Sequence, residues 1–272
     1  MSLSILNNIS ALQAENQLSI TNAAANKALQ QLSSGSRINS GSDDAAGLAI
    51  SDGLNANVAA LNQSSLNATN AVGTLQTADG ALAQITALLN RAVTLATEGS
   101  NTGLSTSQSA AINNEFQSLV GQIANINTTT NFNGSAIFGS TVSAFTSDGS
   151  AGGTVSIGAA VASVSPTTLA LNASVLTSAT ASATALTAIT AAISTVSAER
   201  GTLGATVEQL QAASTVDTNE SQNLVTASSN ITSADISSVV ANDTKYSILQ
   251  QTGISALQQA NQQAQTILKL LQ

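Results

Sequence analysis

Asp43 and Asp44 are adjacent carboxylates, and paired carboxylates are what general acid–base or cation chemistry would use. They would need a base, a further ligand or a pocket beside them. The chain has no His and no Cys. That removes thiolate nucleophiles, the imidazole that would activate a serine, and the common zinc sites. Serine is plentiful, but no His exists to activate it. No glycine-rich phosphate loop follows a strand pattern. The same aspartates have a structural reading. Ser42 can cap a following helix, and Asp43 and Asp44 then lie in its first turn, where the helix dipole favours carboxylates. The surrounding stretch SSGSRINSGSDDAAG, Ser33–Gly47, reads as a hinge. Gly35 and Gly41 permit turns, and Ser and Asn compete for backbone hydrogen bonds. The hinge residues are Gly35, Arg37, Asn39, Gly41, Asp43 and Asp44. The chain is therefore expected to be no enzyme, with no cofactor and no metal.

The elements around this hinge carry the larger signal. Leu54, Leu61, Ala68, Leu75, Leu82, Leu89 and Ala96 recur every seventh position, and so do Ile189, Val196, Leu203 and Leu210. Leu224 and Ile231 continue the second series after a break at Asp217. Seven-residue spacing makes a seam that wants a partner helix. The two ends of the sequence are thus expected to come together with the middle looped out. The rod seam comprises Leu54, Leu61, Leu75, Leu82, Leu89, Ile189, Val196, Leu203 and Leu210.

The pattern predicts helices over 3–32, 45–97, 107–126, 186–230 and 247–271. The second would span about 80 Å at 1.5 Å per residue. Its alternate row is read as Val58, Ser65, Val72, Asp79, Thr86 and Val93. NTTTNFNG, Asn127–Gly134, ends the third helix in turn-forming residues. The middle changes period: Val142, Ala144 and Phe138 read as strand positions, and Asp148-Gly149 and Gly152-Gly153 as turns. Thr154–Ile157 alternates polar and apolar, so a hairpin is expected within 136–165. Residues 167–185 read as loop or a weak helix start. The fold class is mainly α: an elongated antiparallel helical bundle or coiled coil with a small β-hairpin region.

Composition narrows function further. Aromatic residues are 2% and charged residues 7%, so the cores must be thin and built from Leu, Ile, Val and Ala. Six basic residues against 14 acidic give a net charge of −8, and the basic ones are scattered singly. No basic stripe exists for nucleic acid or an anionic membrane surface. Low charge density lets many copies pack side by side. No run of about 18 apolar residues marks a membrane span. MSLSILNNIS has no basic segment followed by an apolar run, so no cleavable signal is expected. The last helix carries an apolar row at Leu257, Ala260, Ala264, Ile267 and Leu271, opposite a face rich in Gln.

Four motifs in order resemble the bacterial flagellins. They are LSSGSRINSGSDDAAGLAI at Leu32–Ile50, TTNFNG at Thr129–Gly134, Arg200-Gly201-Thr202-Leu203-Gly204-Ala205, and ILQQTGISALQQANQQAQTILKLLQ at Ile248–Gln272. The resemblance covers roughly residues 1–140 and 185–272. It implies an inner, tube-lining domain of residues 1–32 and 239–272, and hinge segments at 33–47 and 231–238. It also implies a rod of 48–135 and 186–230, with a hairpin and short variable region at 136–185. Ile5, Ile9, Leu12, Leu29, Leu32, Leu257, Ala264, Ile267 and Leu271 would form the tube core and subunit contacts. The implied function is a subunit that polymerises into the flagellar filament for motility. Its partners would be many copies of itself, the export apparatus, an export chaperone, the filament cap and hook-junction proteins. Localisation would be extracellular. The alternative is the related hook–filament junction protein.

Overall fold

The structure, a computed structural model, describes residues 8–147 and 154–270. It is mainly helical. In chain order the elements are α1 (Ile9–Ser34), α2 (Ala45–Gly99), α3 (Thr106–Thr129), β1 (Asn131–Phe132), β2 (Ser135–Ala136), β3 (Ser140–Ser147), β4 (Thr154–Val161), α4 (Ala179–Thr232) and α5 (Ile236–Leu270). The chain divides into two compact units: Ala56–Asn223, and Met1–Asn55 with Leu224–Gln272.

In the first unit, Leu61, Ala68, Leu75, Leu82, Leu89 and Ala96 are buried along α2. Ile189, Val196, Leu203 and Leu210 are buried along α4. From Leu75 and Ile189 onward these residues share one apolar cluster with Ile112, Phe116 and Ile123 of α3. Each fully buried Leu or Ile contributes about 1.5–3 kcal/mol relative to exposure. The second buried row of α2 is Ser64, Ala71, Ala78, Ile85 and Ala92. It lies one residue earlier than the row expected from Val58 to Val93, whose members are half-buried. Small side chains let a neighbouring helix approach closely, and size, not hydropathy, places that row. Gly99 shows the limit: a Cβ there would stand 2.7 Å from Ser182 Oγ.

Polar bonds run beside the apolar seam and record an antiparallel register. Ser221 Oγ donates to Asn62 Oδ1 at 3.2 Å, and Ser64 Oγ donates to Asp217 Oδ2 at 2.5 Å. Ser65 and Ser214 hydroxyls meet at 2.7 Å. Arg200 Nε donates to Asp79 Oδ1 at 2.7 Å. The Asp79 carboxylate raises the Arg200 pKa above its ordinary value. Asp217, the break in the leucine series, is thus the acceptor for a buried serine. On α3, Ser105 and Gln108 form a reciprocal capping box. Arg91 Nε and Nη2 both donate to Glu115 Oε1, linking α2 to α3.

β3 and β4 pair antiparallel from Ser140↔Val161 to Ser147↔Thr154. The expected Asp148-Gly149 and Gly152-Gly153 turns lie outside the described residues. Phe138 is buried just before β3 instead of within a strand. Gly158 pairs with Ser143, and a Cβ there would collide with the Val142 carbonyl. A second, unexpected hairpin joins β1 and β2 across Asn133 and Gly134. α4 starts at Ala179, so 179–185 are the helix start that the sequence allowed, while the stretch from β4 to 178 is neither free loop nor helix. Val164, Leu169, Leu171 and Leu176 are buried. Asn127 Oδ1 accepts from Val164 N at 2.9 Å, Gln117 Nε2 donates to Ser174 O at 2.9 Å, and Asn113 Oδ1 accepts from Leu176 N at 2.9 Å. α3 therefore straps this segment down through its side-chain amides, a tertiary effect that local periodicity does not encode.

In the other unit α1 and α5 pair antiparallel. Asn8 Nδ2 donates to Ala260 O at 3.0 Å, Gln250 Nε2 donates to Asn22 Oδ1 at 2.7 Å, and Leu18 packs at Gly253. The facing rows are small and mixed: Ala11, Ala14, Leu18, Thr21, Ala25, Ala28 and Leu32 against Val239, Asp243, Tyr246, Gln250, Gly253, Leu257 and Ala260. α5 starts eleven residues before the expected Ser247, at Ile236. The signal is Asp235, whose Oδ1 accepts from Ser237 N and Ser238 N as a helix cap. By length and composition α4 contains one window apolar enough to cross a membrane, with mean hydropathy 1.4. Its exposed threonines return their hydroxyls to the preceding turn, as Thr184 does to Thr180 O and Thr195 to Ala191 O.

Two stability outcomes follow. Leu82 is fully buried, so Leu82→Ala costs about 2–5 kcal/mol, read as a lower thermal or urea midpoint. A cost under about 0.5 kcal/mol would show that Leu82 is not packed against a partner. Ala170 has φ +55°, a left-handed conformation costing a side chain about 1–2 kcal/mol. Ala170→Gly should therefore raise the midpoint, whereas an unchanged or lower one contradicts the strain.

Candidate functional site

The hinge segment meets four helix ends. α1 ends on Gly35, whose φ is +68° and whose N–H donates to Gln31 O at 2.9 Å. The next residues pair with the link between α4 and α5. Ser36 bridges Ser233, Arg37 N donates to Thr232 O at 2.6 Å, and Ala234 N donates to Gly35 O at 3.0 Å. Arg37 Nη2 donates to Ile231 O at 2.5 Å and Ser36 Oγ to Thr232 O at 3.0 Å. The last carbonyls of a helix have no partner within it. Here a cation and a hydroxyl nearly two hundred residues away supply them, and the cation complements the negative helix end.

The two aspartates have separate tasks. Asp43 Oδ2 accepts from Asn39 N and Ser40 N, each at 3.1 Å, closing the loop. Its Oδ1 meets Lys27 Nζ of α1 at 2.7 Å. Lys27, then the Asn39 and Ser40 contacts, hold the Asp43 pKa at about 2, below the ordinary 3.8. Asp44 Oδ1 accepts from Gly47 N at 2.9 Å and caps α2 in place of the expected Ser42, so both aspartates lie before the first turn and not within it. A Cβ on Gly47 would come within 2.8 Å of Ile38 Cδ1, so a larger residue there would displace that side-chain end. Gly41 is exposed beside this loop. Among the described residues no group of His, Cys, Asp or Glu could hold a metal ion. The arrangement joins helices; it offers no proton relay.

The remaining residues singled out from sequence fall in three places. Of the rod seam, Leu61 to Leu89 and Ile189 to Leu210 are buried, and Leu54 is half-buried. Of the tube-core set, Ile9, Leu12 and Leu29 are 59%, 67% and 57% exposed, while Leu32 and Leu257 are half-buried between α1 and α5. Ile5 and Leu271, and the side chains of Ala264 and Ile267, lie outside the described residues. Sequence reasoning missed Lys27, Ser36 and Asp235. Only Asp235, directly before a helix, carried a local signal.

Comparison with known proteins decides the family. The model of the bacterial flagellin N-terminal helical region matches residues 5–143, and that of the C-terminal helical region matches residues 186–271. A flagellin of Halalkalibacterium halodurans is 35% identical over 98% of this chain and 99% of its own length. Flagellins of Listeria monocytogenes and Bacillus subtilis are each 30% identical, over 97% and 98% of this chain and 98% and 99% of their own lengths. The chain belongs to the bacterial flagellin family. It is a structural subunit for assembly of the flagellar filament, and its locale as a flagellin is that extracellular filament. End-to-end agreement with flagellins favours this over a junction protein.

The joint of this flagellin has a defined acid response. The Asp43 pKa is depressed, so its stabilising contribution is present above about pH 4 and is lost as pH falls through about 2. Carboxyl NMR should give a midpoint near 2 in the folded chain, rising toward 3.8 in Lys27→Gln. A midpoint unmoved by that substitution would show that Lys27 is not the main cause.

Proposed function

We propose a division of labour within this filament subunit. α1 and α5, with residues 1–32 and 239–272, act as the inner domain that lines the filament channel and packs against neighbouring copies. Residues 33–47 and 231–238 act as the hinge, and 48–135 with 186–230 as the rod. The β3–β4 hairpin and the strap within 136–185 complete the rod surface. Assembly draws on the flagellar export apparatus, an export chaperone, the filament cap and hook-junction proteins, as the family relationship implies.

One observation carries the inner-domain reading. Ile9, Leu12 and Ile20 are exposed at 59%, 67% and 57%. At 100° per residue they fall on the side of α1 opposite Leu18, Ala25 and Leu32. α1 thus has two apolar faces, and α5 covers only one. α5 likewise exposes Ile248 and Ile254. Exposed apolar surface on both members of a thin pair marks an interaction surface, and a homopolymer supplies the same partner to every copy.

Electron microscopy of the purified chain after induced polymerisation tests this reading. Leu12→Asp should abolish filaments while leaving the monomer's circular dichroism and thermal midpoint unchanged, because Leu12 is two-thirds exposed in the single chain. Normal filaments from this variant would remove α1's outer face from the subunit contacts. A lowered monomer midpoint would assign Leu12 to the fold instead.

A further inference from the structure

We propose that Asn133 is a site of spontaneous, non-enzymatic modification: deamidation through a succinimide formed with Gly134. Asn133 is the only asparagine in the chain followed by glycine. Reaction at such a pair needs an accessible side-chain amide and a following nitrogen unshielded by a Cβ. Both Asn133 and Gly134 are exposed. A Cβ placed on Gly134 would meet nothing within 4 Å, so the approach is open. Their φ angles are +50° and +81°, the conformation that selects Asn-Gly in two-residue hairpin turns. Two residue pairs, Asn131↔Ala136 and Phe132↔Ser135, and a bond from Ile137 N to Thr130 O at 3.4 Å hold the hairpin closed. So short a ladder opens readily. Among the described residues no hydrogen bond ties the Asn133 side chain.

The contrast within the chain is Asn39-Ser40, where serine also offers little shielding. There Asn39 Nδ2 donates to Ser36 O at 3.0 Å, and the attacking nitrogen, Ser40 N, donates to Asp43 Oδ2 at 3.1 Å. Both reacting groups are engaged.

The step balances without an oxidant. Hydroxide takes the Gly134 amide proton, and the nitrogen attacks Asn133 Cγ. The new N–C bond closes the ring as the Cγ–N bond of the side-chain amide breaks, and the departing NH2 takes up one proton from water to leave as ammonia, which regenerates the hydroxide. Water then opens either ring carbonyl, giving aspartate or the isoaspartyl linkage. The net change is gain of water and loss of ammonia. Either product adds a negative charge to a chain already at −8. The isoaspartyl form also adds a carbon to the main chain of a two-residue turn, which cannot then keep its pairing. Phe132, whose ring faces Gly73, loses its tether on that side. Age would be written into the subunit at this hairpin.

The test is incubation of the full-length folded chain at mildly alkaline pH, beside the same chain in urea. Peptides are then mapped by mass spectrometry, with enzymatic labelling of isoaspartyl carboxylates. The peptide holding Asn133 should become about one mass unit heavier and take the label, while the peptide holding Asn39 stays unchanged in the folded chain. Asn133→Gln should remove both signals. An unmodified Asn133 in the folded chain, at a time when the urea-treated chain has converted, overturns the proposal. Conversion of Asn39 before Asn133 overturns it as well.

Discussion

A row of leucines repeated every seven residues leaves water only if another helix lies along it. In this chain the covering row is a hundred residues away or more: Leu75, Leu82 and Leu89 share their cluster with Ile189, Val196 and Leu203. Local helix formation cannot supply that contact, and the loop entropy must be met before the seam forms. Everything between must therefore fold back within reach. The amides of Asn113, Gln117 and Asn127, which hold the strap after β4, and the bond from Asn67 Nδ2 to Phe145 O at 3.1 Å fasten the intervening chain to the helices it spans. The long seam and the short fastenings depend on each other.

The chemistry of the α2–α4 contact changes along its length. Toward Leu75–Leu89 it is aliphatic, with the Arg200–Asp79 pair at its side; toward Asn62–Ser65 hydroxyls, an amide and a carboxylate stand beside Leu61. A neutral hydrogen bond contributes about 0.5–1.5 kcal/mol net, against about 1.5–3 for a buried leucine. Stability is concentrated where the leucines are. The unit formed by the chain ends has the weaker kind of contact: Ser51 meets Ser228 at 3.0 Å, and the α1–α5 rows are mostly Ala, Thr, Gly and Gln. Such a pair gains little from its own seam, and its exposed isoleucines and leucines hold much of the apolar surface it has left to bury.

Several of these features were legible in sequence. The leucine series marked the antiparallel helices, and the change to period two marked β3 and β4. What escaped was decided by size or by partners. The alanine row on α2 has weak hydropathic contrast, yet it is buried because it is small. The start of α5 lay in a polar stretch whose single signal was Asp235. Ser33–Gly47 reads as a flexible composition, but its polar side chains are spent on the ends of other helices: Arg37 and Ser36 on α4, Asp44 on α2. A serine- and asparagine-rich segment looks the same in sequence whether its hydrogen bonds go to water or to carbonyls two hundred residues away.

α1 shows most clearly what periodicity can and cannot say. Ile9, Leu12 and Ile20 are conspicuous apolar residues of that helix, and Ala11, Ala14 and Ala28, beside Leu18 on the other side, inconspicuous ones. The pair with α5 uses the inconspicuous face and leaves the conspicuous residues in water. A hydrophobic stripe states that a surface needs covering; it does not state whether the cover lies in the same chain. Ile9, Leu12 and Ile20 point away from α5, so that side of α1 has no cover within the pair. On the division of labour proposed above, neighbouring copies in the filament supply the cover that α5 does not.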